Sequence, residues 1–120
     1  MLNLDTHILL RALTGELTRK ENALLSRRTW SIASIALWEI AKLAELGRIE
    51  IDLEDPELNR ILSRIHVWPI TWPICRTIRK LRLRGDPADQ IIAATSVVQR
   101  VPLVTRDRGI RACRAVPLAM

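Results

Sequence analysis

Trp30–Gly47, with the sequence WSIASIALWEIAKLAELG, decides the fold class of this 120-residue chain. Its first four residues form a short apolar run typical of a buried strand, and the residues after them repeat apolar side chains at helical spacing. Ser34 stands at the junction, where its hydroxyl suits the N-cap of the helix, and Gly47 suits the end of that helix. A strand that leads straight into an amphipathic helix is the unit from which parallel α/β sheets are built.

The same alternation continues on both sides of this segment. Further apolar runs predict strands at Met1–Leu4, Val67–Ile70 and Pro102–Thr105, with Ala115–Ala119 as an optional fifth. Helical spacing predicts helices at Ile8–Leu13, Leu17–Arg28, Asp55–Arg64, Thr71–Leu81, Asp86–Val98 and Asp107–Ala112, while Arg48–Leu53 fits a strand or an extended connection. We therefore expect one α/β domain over residues 1–120. It would be a three-layer α/β/α sandwich around a short, mainly parallel sheet of four to five strands.

Four carboxylates follow the predicted strands or lie in the helices after them: Asp5, Glu39, Asp89 and Asp107. Successive strand–helix units deliver their loops to the same edge of a parallel sheet, so we expect the four side chains to meet there. Converging carboxylates repel one another unless a divalent cation lies between them. The pattern predicts a site for one or two Mg²⁺ or Mn²⁺ ions in an enzyme that acts on phosphate esters, since oxygen ligands suit these ions better than zinc.

Each acid also has a structural interpretation. Asp5 and Asp107 stand at strand-to-helix turns, where Asp is a favoured N-cap. Asp86 precedes a proline and is a strong N-cap candidate, which leaves Asp89 as the better metal ligand of that pair. Glu39 could instead pair in solvent with a lysine three residues along the helix, Lys42. Individually none of the four acids is diagnostic, but their common place at one sheet edge favours the metal site.

Composition supports a polyanionic substrate and excludes several other classes of protein. The chain carries 19 basic and 13 acidic residues, a net charge of +6, so a basic surface would surround the acidic centre. Its two cysteines, Cys75 and Cys113, form no zinc or disulfide pattern. No signal peptide or membrane-spanning run is present, so we expect a cytoplasmic protein without membrane association.

Sequence motifs of other enzyme classes are absent. The chain has no Walker A sequence, no GxGxxG loop and no GxSxG elbow, and Ser34 has no histidine base near it in sequence. A phosphatase or phospho-receiver domain is disfavoured, because a receiver would need paired acids after the first strand and an aspartate after the third. Only Asp5 follows the first strand, and the third ends in Pro69-Ile70-Thr71.

Four segments together resemble the PIN domain, and within it the VapC-type toxins of toxin–antitoxin pairs: LDTHILL, IALWEIAKLAELGRI, DPADQIIAATS and PLVTRD. The resemblance runs from Leu2 to about Ile110. It implies a Rossmann-like sheet and a Mg²⁺- or Mn²⁺-dependent endoribonuclease that cleaves structured RNA such as tRNA. It also implies a small cognate antitoxin, and a homodimer to which exposed Leu24 or Leu25 would contribute.

The resemblance assigns roles to individual residues of this chain. The family's acidic quartet falls on Asp5, Glu39, Asp89 and Asp107, which would bind the metal and carry catalysis. The expected supporting hydrogen-bonding residues are Thr6, Ser34, Asp86 and Thr105, and the arginines expected to hold substrate phosphates are Arg11, Arg106 and Arg108. The alternative is a non-catalytic PIN-like module that binds RNA or protein, although such a module has no need of four mutually repelling acids.

Overall fold

The computed structural model describes residues 1–120. Four strands alternate with seven helices along the chain, as the sequence predicted. The strands are β1 Leu2–Leu4, β2 Trp30–Ala33, β3 His66–Trp68 and β4 Leu103–Val104. The helices are α1 Thr6–Thr14, α2 Arg19–Ser26, α3 Ser34–Glu45, α4 Pro56–Ser63, α5 Trp72–Leu81, α6 Pro87–Gln99 and α7 Arg108–Ala112.

All neighbouring strands in the sheet are parallel, in the order β3-β2-β1-β4. Because every strand runs the same way, the chain leaves each strand at the same edge and returns through helices. The residues that follow β1, β2 and β4 are therefore brought together, although they lie far apart in the sequence. This carboxyl edge is where the predicted acids would meet.

Apolar side chains cover both faces of the sheet. Leu2, Leu4 and Ile32 belong to one buried cluster, which packs against α1, α2 and α3. Ala33 and Leu103 belong to a second cluster, which includes buried side chains of α5, α6 and α7. Two buried clusters with a sheet between them confirm the predicted three-layer α/β/α architecture.

The structure corrects several predicted elements. The possible fifth strand reduces to a single bridge between Leu118 and Leu103, so the sheet has four strands. Arg48–Leu53 forms neither a strand nor a helix. The second helix is shorter than predicted because Thr18 and Glu21 form a capping box that starts it at Arg19.

Ser34 is not the N-cap of α3. Ala33 takes that position with extended backbone angles, and Ser34 is the first helical residue and makes no capping hydrogen bond. The reason is that β2 passes into α3 with no intervening residue, so the last strand residue must serve as the cap.

No helix has the length and apolarity needed to cross a membrane.

Candidate active site

Asp5 follows β1 and is almost completely buried, with 3% of its surface exposed. It precedes α1 in the N-cap position, but its side chain does not cap the helix. Its Oδ2 instead accepts a 2.6 Å hydrogen bond from the Thr105 hydroxyl, while its Oδ1 is buried without any partner. Burial raises the pKa of the Asp5 carboxyl, and the hydrogen bond from Thr105 offsets part of that rise. The N-cap interpretation of this carboxylate is therefore wrong.

Thr105 connects Asp5 to Asp107 at the end of β4. Its hydroxyl oxygen accepts a 3.1 Å hydrogen bond from the Asp107 backbone N–H while it donates to Asp5. Asp107 caps α7, since its Oδ1 accepts a 2.9 Å bond from the Ile110 N–H. A Cβ atom placed on Gly109 would lie 3.2 Å from the same Oδ1, so the turn leaves this carboxylate little room. Asp107 thus keeps one oxygen for other partners.

Asp86 and Asp89, at the start of α6, differ in their hydrogen bonding. Asp86 caps the helix through a 3.0 Å bond from the Ala88 N–H to its Oδ1, as predicted. Asp89 makes no side-chain hydrogen bond and is half-buried. Burial, followed by repulsion from the acids around it, raises the pKa of Asp89 to about 7.

Glu39 lies on α3 with its Oε1 buried and without a hydrogen-bond partner. The alternative pairing with Lys42 is wrong, because Lys42 contacts Glu45 instead, at 3.5 Å. A carboxylate oxygen that is buried without a donor is costly, so Glu39 has no structural explanation within this chain.

The four predicted acids face a common region. Asp5, Asp107 and Glu39 are all close enough to Asp89 to repel its charge. Their donors are carboxylate oxygens alone, and Asp5 and Glu39 each offer a buried oxygen with no partner, which fits Mg²⁺ or Mn²⁺. No three acidic, histidine or cysteine side chains are arranged to hold a metal ion, so the expected coordination sphere is not assembled in this conformation.

The remaining supporting residues make fewer contacts than expected. Thr6 is fully buried next to Asp5, and its Oγ1 has no hydrogen-bond partner. Ser34 forms no side-chain hydrogen bond with any acid, so Thr105 is the only predicted hydroxyl that contacts the quartet.

The three predicted phosphate-binding arginines differ in availability. Arg106 is held by Glu21, whose two oxygens accept bonds of 2.8 and 2.5 Å. Its guanidinium is therefore not available to phosphates, contrary to the prediction. Arg11 lies near Glu16, at 3.8 Å, in a solvent-exposed pair. Arg108 directly follows Asp107 and is exposed, with no ion pair.

Sequence reasoning missed two contacts that position the site. Glu21 is 6% exposed, and the hydrogen bonds from Arg106 lower its pKa to about 2. Asn3 is fully buried in β1 and donates a 2.8 Å bond to Ser96 in α6, the helix that carries Asp89. Asn3 had a visible signal, since it is polar between two leucines of a buried strand. Glu21 and Arg106 are 85 residues apart in the sequence, so no local sequence pattern predicted that they would pair.

An apolar cavity of about 360 Å³ lies between α3 and α6, beside the acids. It is lined by Ile35, Trp38, Asp86, Pro87, Ala88 and Ile91. Of the site candidates, only Asp86 lines this cavity, and neither Glu39 nor Asp89 does.

The sequence matches the family model of the PIN domain over residues 3–115, which includes all four acids. The chain belongs to the PIN-domain family. A curated relative of this PIN domain is Ribonuclease VapC22 of Mycobacterium tuberculosis (strain ATCC 25618 / H37Rv). The two are 33% identical over 87 residues, which cover 70% of this chain and 67% of the relative.

Solved structures agree with this assignment of the fold. A toxin–antitoxin complex from Klebsiella pneumoniae superimposes with a TM-score of 0.74 at 21% identity, covering 97% of this PIN domain and 95% of that chain. VapBC2 from Rickettsia felis bound to a DNA fragment gives 0.73 at 21% identity, covering 98% and 97%. The PIN-domain resemblance carried by the four sequence segments is therefore confirmed, and its VapC-type character agrees with the relative and with these complexes.

Proposed function

We propose that this PIN domain is a Mg²⁺- or Mn²⁺-dependent endoribonuclease and the toxin of a toxin–antitoxin pair. The observation that supports the proposal most is that Asp5, Glu39 and Asp107 all lie near enough to Asp89 to repel its charge. Two of their oxygens are buried without partners, which is the state of ligands that await a cation. The relative named as a ribonuclease supports the activity, and the toxin–antitoxin complexes support an antitoxin partner.

The quartet would hold one or two divalent ions, with Asp5 as the central ligand. A bound ion would activate a water molecule and offset the charge of the leaving oxygen at a phosphodiester. Thr105 orients Asp5 by donating to Oδ2, so that the free Oδ1 points away from that bond. Asp107 is fixed by its own capping bond to Ile110, which gives the second acid of this pair a single orientation.

Two predicted arginines remain available for substrate phosphates. Arg108 is exposed next to Asp107, and Arg11 is only weakly engaged by its exposed partner. Arg106 is removed from this role because Glu21 occupies its guanidinium. Structured RNA such as tRNA is the proposed substrate, in the cytoplasm, and the antitoxin would cover the acidic edge.

The homodimer expected from the family needs a different surface from the one first predicted. Leu25 is 2% exposed and Leu24 packs against the core, so neither is available to a partner. Apolar side chains that do remain exposed include Leu37, at 37%, and Trp38, at 57%, both on α3. We propose this face of α3 as the candidate dimer contact.

Cleavage of total cellular RNA by purified protein tests the proposal. We expect discrete fragments with Mg²⁺ or Mn²⁺, none with EDTA, and none from Asp5→Asn, which is isosteric and removes one charge. Glu45→Gln is the matched control, because it removes an acid of α3 that is exposed and remote from the quartet. Absence of cleavage of tRNA, rRNA and mRNA by antitoxin-free, metal-loaded protein would favour the non-catalytic binding module.

A further inference from the structure

The outer face of α5 carries cations and an exposed aromatic ring. Trp72 is 71% exposed, the largest exposure among the large apolar side chains. Arg76, Arg79 and Lys80 follow it at intervals of four, seven and eight residues, and all three are exposed. These intervals place the four side chains on one face of the helix. The opposite face, which includes Ile74, is buried against α6.

The basic character continues from α5 toward the acids. Arg82 and Arg84 lie in the loop between α5 and α6, and both are exposed. The Gln90 side chain donates a 2.8 Å bond to the Leu83 carbonyl, which ties this loop to the start of α6. Asp86 caps that helix two residues after Arg84. The cations therefore form a strip that ends beside the quartet.

These five cations have no partners in the protein. None of them forms an ion pair or a side-chain hydrogen bond, and no acidic residue lies between Glu57 and Asp86. Favourable interaction with the C-terminal end of the α5 dipole explains only the cations of its last turn, Arg79 and Lys80. It does not explain Arg76, the two loop arginines or the exposed indole, so the strip as a whole fits an external polyanion.

We propose that Trp72, Arg76, Arg79, Lys80, Arg82 and Arg84 form a binding surface for a single-stranded segment of the structured RNA substrate and lead that segment to the acidic edge. This inference rests on the proposed ribonuclease function. Alternating cations and a solvent-facing aromatic ring suit a chain whose phosphates bind the cations and whose bases stack on the ring. An anionic membrane fits less well, because the apolar face of α5 is already buried and Trp72 is the one large apolar side chain of that helix that is exposed.

Binding of a fluorescein-labelled single-stranded RNA in EDTA tests the cationic part without any cleavage. The variant combines Arg76→Ala, Arg79→Ala and Lys80→Ala. We expect the dissociation constant to rise about ten- to hundred-fold and the slope of log K against log salt to fall by about 2, since each phosphate contact on a single strand contributes roughly 0.7. Arg27→Ala, Arg28→Ala and Arg64→Ala form the control, because they remove the same charge near the starts of β2 and β3, at the opposite end of the sheet.

Three single variants test the remaining parts of the surface. Trp72→Phe keeps a stacking face and should retain binding, whereas Trp72→Leu keeps apolar bulk and should lose about five- to hundred-fold in affinity. Arg82→Gly removes a cation where the backbone is left-handed (φ 53°), a conformation that glycine adopts without strain, so weaker binding cannot be attributed to unfolding.

The outcomes separate this surface from the catalytic function. Equal losses of RNA affinity in the α5 and control variants would overturn the surface. It would also be overturned if binding to vesicles of anionic lipid required these residues and binding to RNA did not. RNA cleavage that is unchanged in the α5 variant on long substrates would overturn it while leaving the ribonuclease standing. Strip-dependent RNA binding without any metal-dependent cleavage would instead refute the ribonuclease and retain the surface.

Discussion

Thr105 is the residue whose contacts explain most of the acidic site. One hydroxyl donates to the Asp5 carboxylate and accepts from the Asp107 backbone, so it adds a side-chain link between the two residues that follow β1 and β4. A buried carboxylate needs such a donor, because burial alone makes its charged form costly. The geometry of two of the four acids therefore depends on a side chain that carries no charge.

Thr105→Val should lower the rate of RNA cleavage while leaving the fold intact. The substitution conserves shape and removes both the hydrogen bond to Asp5 and the one that the Asp107 N–H donates. Loss of such an orienting partner typically costs about 10- to 100-fold in activity or metal affinity. Cleavage rates at several Mg²⁺ concentrations would measure it. Thr105→Ser is the control that keeps the hydroxyl, and equal activities of the two variants would contradict the role given to this bond.

Asp89→Asn should stabilise the metal-free protein at neutral pH. The pKa of Asp89 is raised to about 7 in the folded state, so between pH 3.8 and about 7 the folded state holds a proton that the unfolded chain releases. Stability of the parent therefore falls as the pH rises through that window, and the variant should lack this fall. We expect a gain of about 1 kcal/mol at pH 7.5 after allowing for solvent screening of a half-buried group.

Urea unfolding in EDTA at pH 5.0 and pH 7.5 would measure this effect. Glu45→Gln, which removes an exposed acid of α3, should leave the difference between the two pH values unchanged. A parent protein that is equally stable at both pH values would show that burial and the neighbouring acids do not raise the pKa of Asp89 as the structure indicates.

Among the elements, α2 is held to the sheet by a contact across the molecule. Glu21 belongs both to the capping box that starts α2 and to the ion pair with Arg106, which follows β4. A capping residue that is nearly buried and shared in this way fixes the position of the helix as well as its start. Arg106 therefore serves the fold, next to residues that serve the site.

Glu21→Gln should lower the free energy of unfolding by roughly 1–2 kcal/mol, because it replaces a charge-assisted pair with a neutral bond. The pKa of Glu21 is lowered to about 2, so its contribution is full above its ordinary pKa of 4.5 and is lost as the pH falls toward 2. Denaturant unfolding between pH 6 and pH 3 measures both effects. Glu57→Gln is the control, since its partner Arg60 is exposed and the pair contributes little; an equal loss would contradict the assignment.

The sequence was a better guide to elements than to their contacts. Strands and helices could be predicted because apolar spacing and caps such as Asp86 and Thr71 act over a few residues. Asp5 and Asp107 could be expected at one edge because they follow β1 and β4 of a parallel sheet. Topology alone does not place Glu39 and Asp89, which lie within α3 and α6. The pairing of Arg106 with Glu21 could not be predicted, since it depends on how α2 packs after folding. The N-cap of α3 was misplaced by one residue, because nothing local reveals where β2 ends.

At the scale of the whole molecule, charge is unevenly distributed. The net charge is +6, yet the carboxyl edge of the sheet gathers four acids that repel one another. The exposed arginines of the loop between α5 and α6 end two residues before Asp86, which caps the helix that carries Asp89. A divalent cation would relieve the repulsion and so stabilise the fold as a whole.

Mg²⁺ or Mn²⁺ should raise the melting temperature of the parent protein. A ligand at 100 times its dissociation constant adds about 2.7 kcal/mol to the free energy of unfolding, because it binds only the folded state. Differential scanning calorimetry in Mg²⁺, against NaCl of equal ionic strength, would detect it. Asp5→Asn and Glu39→Gln should lose most of the shift, and a shift that persists in both variants would place the ions elsewhere.

Gly109 shows that the activity of a PIN domain cannot be inferred from its acidic residues alone. Its missing side chain leaves space for the Asp107 carboxylate, and an added methyl group would lie 3.2 Å from Oδ1. Replacement by alanine or serine would require that carboxylate to shift by a few tenths of an ångström, although no charge would change. A change at this glycine could therefore disturb Asp107 while all four acids remained in the sequence, and a search for those acids alone would not detect it.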